Sequence, residues 1–218
     1  FELIMKKKMT IPFHKTHVSD REIEAVVEVM KSGWLTMGPK TIEFENQFKE
    51  CIGSNHAISM NSATAALHLA LKAIGLKKDD EVILPTNTFV ATAEVVTYFD
   101  AIPVLCDIDQ RTHNIDVSKI EVLINKKTKA IIPVHFAGQP CDMDEIYKIS
   151  KNYNLKVIED AAHALPSKYK GGMIGRLKNT DITCFSFYAT KTLSTGEGGM
   201  ATTDNSEYAE NMSINRLH

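Results

Sequence analysis

The sequence predicts an α/β domain built on a mostly parallel, mixed sheet flanked by helices. Three observations predict it. Short apolar runs alternate with helical stretches of roughly 10–15 residues over the first two thirds of the chain, the pattern of right-handed βαβ units. Beyond Ile158 the helices thin out and β-like runs follow one another, which calls for an antiparallel strand in the sheet. No repeat, low-complexity tract or obvious linker divides the 218 residues, so residues 1–18 read as a tail and 19–218 as one domain.

Each element has its own signal. Ser19-Asp20 and Glu22 supply an N-cap and early acids, and Ile23, Val26, Val27 and Met30 recur at helical spacing until Gly33 stops the run. A second helix is expected over about 40–51. A strand over 56–60 leads into an Ala/Leu-rich helix over 64–74, stopped by Gly75. Then come a strand over 81–85, a helix over 89–99, a strand over 102–107 and a helix over 117–125. The apolar run 130–134 reads as a strand entering the turn Ala137-Gly138-Gln139-Pro140. A helix over 142–153 and a strand over 156–158 follow. β-like runs close the series near 167–169, 182–187 and 200–202.

Composition excludes several function classes. With 25 basic and 27 acidic residues, the formal charge of -2 gives no basic face for nucleic acid or membrane. Cys51, Cys106, Cys141 and Cys184 are scattered, without metal-ligand spacing, and read as thiols of a reducing compartment. No run of about 18 apolar residues could span a bilayer. Lys6-Lys7-Lys8 reads as a solvated tail and lacks the apolar stretch of a signal peptide, so a cytoplasmic protein is expected. The chain opens on Phe1 and stops at His218 in what reads as a last helical turn, as expected of a piece of a longer polypeptide.

Chemistry-bearing residues gather where open α/β sheets bind ligands, beyond the carboxyl ends of the strands. In Asn61-Ser62-Ala63-Thr64 a strand runs directly into a helix, whose free N–H groups and dipole make an anion site. In Glu159-Asp160-Ala161-Ala162-His163 an acid ends a hydrophobic strand. In Ser186-Phe187-Tyr188-Ala189-Thr190-Lys191, followed by Gly196-Glu197-Gly198-Gly199, a lysine stands between an apolar strand and a glycine-rich turn. Such a lysine, partly buried, can form an imine with an aldehyde. Taken singly, each motif has an ordinary reading: an N-cap cluster, a capping aspartate with a core histidine, a solvated lysine. Phe89 is either a stacking wall or a core phenylalanine. The loop 33–39, with Trp34 and Thr36, either borders a pocket or anchors the first helices.

Together these motifs resemble the DegT/DnrJ/EryC1/StrS sugar aminotransferases. The resemblance runs from Ser32-Gly33-Trp34-Leu35-Thr36 to Arg216-Leu217-His218, with the motifs at 61–67, 85–89, 132–138, 159–163 and 186–199 in the family's order. It implies the fold-type-I architecture of pyridoxal phosphate (PLP) enzymes, and a homodimer whose active sites are shared. Lys191 would hold the cofactor as a Schiff base and Asp160 would pair with the pyridine nitrogen. Ala63, Thr64 and Ser186 would hold the phosphate, Phe89 would stack on the ring, and His163 would lie near the phenolic oxygen. Thr36 and Tyr188 are the substrate-side candidates. No metal is implied.

The implied reaction moves an amino group from glutamate or glutamine to a keto group of a nucleotide-activated sugar. The product would serve bacterial surface polysaccharide, lipid A or amino-sugar synthesis, and the wording is nearest to members acting on UDP-linked 4-keto sugars. Tyr188 departs from those members, several of which carry histidine there. The alternatives are a PLP-dependent sugar dehydratase or eliminase, and a non-catalytic PLP-binding fragment; Lys191 argues against the dehydratases, which replace it by histidine. The resemblance implies a smaller C-terminal domain following the Arg216-Leu217-His218 stretch. For 218 residues alone, weak PLP retention and little turnover are expected.

Overall fold

A computed structural model describes residues 11–12 and 14–217. The Lys6-Lys7-Lys8 cluster, Phe1 and His218 lie outside them.

The first helix, α1 (Asp20–Ser32), begins where its cap was expected: the Ser19 N–H donates to the Glu22 carboxylate at 2.7 Å, and the Ser19 hydroxyl donates to the same group. Gly33 ends it in the left-handed conformation at φ 73°. There follow α2 (Pro39–Ile52), β1 (His56–Met60), α3 (Ala63–Ala73), β2 (Glu81–Pro85), α4 (Val90–Thr97), β3 (Ile102–Cys106) and β4 (Thr128–Ile131). The second half holds α5 (Met143–Tyr153), β5 (Lys156–Asp160), the small pair β6 (Lys168–Tyr169) and β7 (Gly172–Met173), then β8 (Ile182–Ser186), β9 (Gly199–Thr203) and α6 (Ser206–Asn215).

Seven strands form one sheet in the order β1-β9-β8-β5-β4-β2-β3. β9 runs antiparallel between β1 and β8, and the remaining pairings in that sheet are parallel. The expected mixed sheet with an antiparallel member is therefore present. Its central strands read as unbroken apolar runs because helices cover both faces; Val82, Ile83 and Leu84 of β2 are all fully buried. One core joins α3, α4 and α6 to the sheet, through Leu67, Leu71, Val95 and Met212 among others. A second lies under α5, around Ile146, Ile149, Ile120 and Val157. A third sits under α2, where the rings of Phe48, Phe185 and Phe187 meet edge to face. Burying each such side chain contributes about 1.5–3 kcal/mol.

Two expectations are corrected. Residues 117–125 do not form an α-helix but two single 3₁₀ turns, Val117–Lys119 and Glu121–Leu123. Val117, Ile120 and Leu123 recur every third residue, which is the period of the tighter helix. The Asp116 carboxylate also accepts from the Ser118 N–H and hydroxyl, which ties the chain into a turn. The strand expected over 130–134 begins earlier and ends at Ile131, because Pro133 has no N–H for a regular ladder. Val134 still bridges to Asp160 beyond that break.

This topology gathers the carboxyl ends of the parallel strands, and the start of β9, along one edge. Met60 and Ser186 both pair with Gly199, and Asp160 pairs with Cys184 one strand away.

Candidate active site

The α3 N-terminus forms one corner of the site. Ser62, in extended conformation, accepts the Ala65 N–H on its hydroxyl and caps the helix. The first turn leaves the N–H groups of Ala63 and Thr64 without intrahelical acceptors. β9 presses closely on this turn: a Cβ at Gly199 would lie 2.3 Å from the Ser62 carbonyl and 2.6 Å from the Ala63 nitrogen. Ser186, the other partner of Gly199, accepts the Tyr188 N–H at 3.3 Å on its oxygen, which leaves its own O–H free to donate. Two backbone N–H groups and a hydroxyl thus converge beside a helix dipole. That is a donor set for a phosphate-sized anion.

Asp160 forms the second corner. It ends β5 and is buried, and its two oxygens have separate partners. The Thr92 hydroxyl of α4 donates to Oδ2 at 2.8 Å, and the Ala162 N–H donates to Oδ1 at 3.1 Å. Thr92 is fully buried and shares a hydrogen bond with the Thr88 hydroxyl at 2.7 Å. Its backbone is bracketed too: the Asp160 N–H donates to Pro133 O at 2.9 Å, and the His135 N–H donates to Asp160 O at 3.1 Å.

Lys191 forms the third. Its turn closes through Phe187 N–H to Gly198 O at 2.8 Å, Thr195 N–H to Phe187 O at 2.9 Å and Lys191 N–H to Tyr188 O at 2.9 Å. Gly196 supplies the left-handed φ of 83° that this turn needs. Partial burial lowers the Lys191 amine below the usual lysine range, and the Asp160 charge pulls it part of the way back. His163 feels the same surroundings: burial and then Lys191 lower its pKa, and Asp160 raises it. Lys191, Asp160 and His163 therefore lie within electrostatic reach of one another.

The remaining expected residues divide. Phe89 is the N-cap of α4 and is 74% exposed, so it is not a core phenylalanine. Tyr188 belongs to the lysine turn and is half exposed. Thr36 lies exposed in the loop between α1 and α2, and no hydrogen bond joins it to the other candidates among the described residues. Trp34 closes that same loop, donating from Nε1 to Met37 O at 3.0 Å and lying against Gly38. It is 57% exposed and does not plug into the core.

Some contributors escaped the sequence reading. Thr92 was one; its signal is the i, i+4 pair with Thr88 at the start of a helix that faces a strand end. The tail was another: the His14 ring bonds Ala189 O at 2.6 Å and the Thr16 hydroxyl donates to it at 3.3 Å, two residues from Lys191. No periodicity marks that contact. Among the described residues no cluster suited to a metal ion occurs, and no helix is long and apolar enough to cross a membrane.

Comparison with known proteins extends this geometry. Residues 16–218 match the profile of the DegT/DnrJ/EryC1/StrS aminotransferase family. Over 214 residues the chain is 54% identical to "Uncharacterized protein MJ1066" of Methanocaldococcus jannaschii, covering 98% of this chain and 55% of that protein. It is 47% identical over 216 residues to the spore coat polysaccharide biosynthesis protein SpsC of Bacillus subtilis, covering 99% of this chain and 55% of SpsC. The chain thus spans about half the length of these relatives. Among solved structures, the "Putative sugar aminotransferase Spr1654" of Streptococcus pneumoniae, known in PLP and PMP forms, superposes with a TM-score of 0.90 at 37% identity, over 96% of this chain and 58% of that one. DesI, solved in the presence of its TDP-sugar product, gives 0.85 at 35% identity, over 90% of this chain and 50% of that one. The fold expected from the sequence is the fold of these aminotransferases.

Proposed function

The chain belongs to the DegT/DnrJ/EryC1/StrS aminotransferase family, and from that premise we propose that it binds PLP and transfers an amino group from glutamate or glutamine to a keto group of a nucleotide-activated sugar. The observation that carries this reading is the convergence of Lys191, Asp160 and the α3 N-terminus on one sheet edge. The residues present fit the cofactor: Gly199, without a Cβ, lets β9 pack directly on the Ser62–Ala63 backbone, which sets the Ser186 hydroxyl beside the free first-turn N–H groups of α3 as a donor set for a phosphate. When bound, PLP supplies an aldehyde that takes amines covalently and a ring that withdraws electrons from the substrate carbon.

The protein's part follows from its side chains. Ala63 and Thr64 N–H groups and the Ser186 hydroxyl hold the phosphate. Asp160, fixed by Thr92 and Ala162, holds a proton on the ring nitrogen. Lys191, its amine made less basic by burial, would hold the cofactor's aldehyde and, when free, would move a proton at the substrate carbon. His163 contacts the phenolic oxygen side, and the exposed ring of Phe89 offers a stacking wall. Thr36 and Tyr188 are proposed on the sugar side. SpsC supports a role in surface polysaccharide synthesis, and DesI supports a nucleotide-linked sugar. The four free cysteines favour a cytoplasmic setting. We extend the reading to a homodimer with shared sites.

The test is borohydride reduction of the PLP-loaded protein followed by peptide mapping. A stable adduct on Lys191, absent from Lys191→Ala, is expected; a wild-type protein without one refutes the reading. Conversion of the bound cofactor to its amine form by glutamate or glutamine then separates a transaminase from an eliminase or a non-catalytic fragment.

A further inference from the structure

A buried polar cluster lies on the far side of β5 from the proposed cofactor. Glu159 and Asp160 are consecutive, so they project from opposite faces of the sheet. Asp160 meets Thr92 of α4, and Glu159 meets Tyr147 of α5. The Glu159 carboxylate is fully buried and receives His135 Nε2 at 2.7 Å, with the Thr180 hydroxyl as a second donor and Thr183 at 3.4 Å. Burial opposes charge on His135, whereas Cys141 and Glu159 favour it and raise its pKa; against that stands the hydrogen bond at the second ring nitrogen, which a charged ring could not accept. The Cys141 N–H donates to His135 Nδ1 at 3.1 Å, so Nδ1 carries no proton and Nε2–H is the donor to Glu159. Each polar atom of the histidine thus has one defined partner.

Those bonds reach the cofactor side through the backbone. His135 N–H donates to Asp160 O, and the Nδ1 bond closes the turn over 136–140. That turn sets Gly138 so near His163 that a Cβ would lie 2.9 Å from the His163 carbonyl oxygen. Phe136 of the same turn faces the His163 ring, with centroids 6.4 Å apart. One residue therefore touches both groups that flank the proposed ring: its backbone N–H holds the Asp160 carbonyl, and its ring, fixed by Glu159, holds the turn beside His163. A buried glutamate and histidine would otherwise cost stability with no return, since an apolar pair of similar volume commonly serves a core as well.

We propose that His135 and Glu159 are a positioning pair for the cofactor site, holding Asp160 and His163 in register with the ring without touching it. This inference rests on the PLP reading above. Its test uses the full chain loaded with PLP labelled with ¹⁵N at the ring nitrogen. His135→Asn keeps an acceptor for the Cys141 N–H and removes the donor to Glu159, whereas Glu159→Gln keeps an acceptor for Nε2–H. For His135→Asn we expect ring-nitrogen deprotonation to become about tenfold easier and PLP affinity to fall about tenfold, the scale of losing a supporting hydrogen bond to a charged group. Glu159→Gln should keep both within about threefold. An unchanged ring-nitrogen titration in His135→Asn, whatever the affinity, overturns the proposal, because a merely structural role leaves the ring proton alone. If His135→Asn does not fold, His135→Gln, which keeps the donor and loses the acceptor, is judged by the same titration. A wild-type chain that forms no Lys191 adduct refutes the functional reading itself, and the pair's role with it.

Discussion

At the scale of single residues, the chemistry depends on how far a lysine and an aspartate shift each other. Burial lowers the Lys191 amine, so more of it is neutral at a given pH than for an ordinary lysine of 10.5, and Asp160 acts against that shift. The rate of PLP capture should therefore rise with pH, with a midpoint below that of a free lysine. Removing the Asp160 charge removes the opposing influence. Asp160→Asn should move the midpoint lower still when adduct formation at saturating PLP is followed against pH; a move upward would contradict the coupling. Thr92 belongs to the same scale. It donates to a carboxylate that is only 4% exposed, so its bond is barely screened. Thr92→Val should cost about 1.5–3 kcal/mol in urea unfolding, the range for a hydrogen bond to a charged group. A cost near zero would mean that water replaces the hydroxyl.

At the scale of elements, local signals were read well and distant ones were not. The α1 boundaries follow from Ser19, Glu22 and Gly33, all within or beside the helix. β1 and β2 have the expected bounds because alternating or unbroken apolar runs end at Asn61 and Thr86. The segment 117–125 looks α-helical in sequence because a repeat of three resembles helical spacing; the Asp116 turn makes it two 3₁₀ turns instead. The motifs around Lys191 and Asp160 single them out as candidates, whereas Thr92 carries no such mark, since nothing in α4 announces which strand end it faces. Gly199 marks the limit most clearly. In sequence it is one glycine of a turn; in the fold its missing Cβ lets β9 touch the α3 N-terminus. Gly199→Ala sets a new carbon 2.3 Å from the Ser62 backbone, which has no flexible end to swing away. We expect a loss of about 1–3 kcal/mol or more in stability, together with weaker binding of inorganic phosphate or PLP. A stable variant with unchanged phosphate affinity would show that the cradle is looser than its contacts imply.

Across the whole molecule, the sheet is assembled out of sequence order. Among the described residues β1 pairs only with β9, and β9 arrives more than a hundred residues later to lie between β1 and β8. α2 and the α3 N-terminus pack on that same side, so the phosphate corner waits on nearly the last strand of the chain. The other side, β4-β2-β3 with the core under α5, is built from parallel neighbours and does not contain β9. Contacts of such long range close slowly, because loop entropy is lost before the pairing is gained. This division predicts unequal local stability. Ala201 is fully buried in the middle of β9, opposite Ile58 on one side and Cys184 on the other. Enlarging it in Ala201→Val overpacks the joint by about 1–3 kcal/mol. In native-state hydrogen exchange the amides of β1 and β9 should then exchange roughly tenfold faster, while those of β2 and β4 keep their protection within about threefold. Equal acceleration on both sides would show instead that the seven strands open as one unit. In that case the lysine turn and the phosphate corner would be held by the stability of the entire sheet, and not by the β9 joint alone.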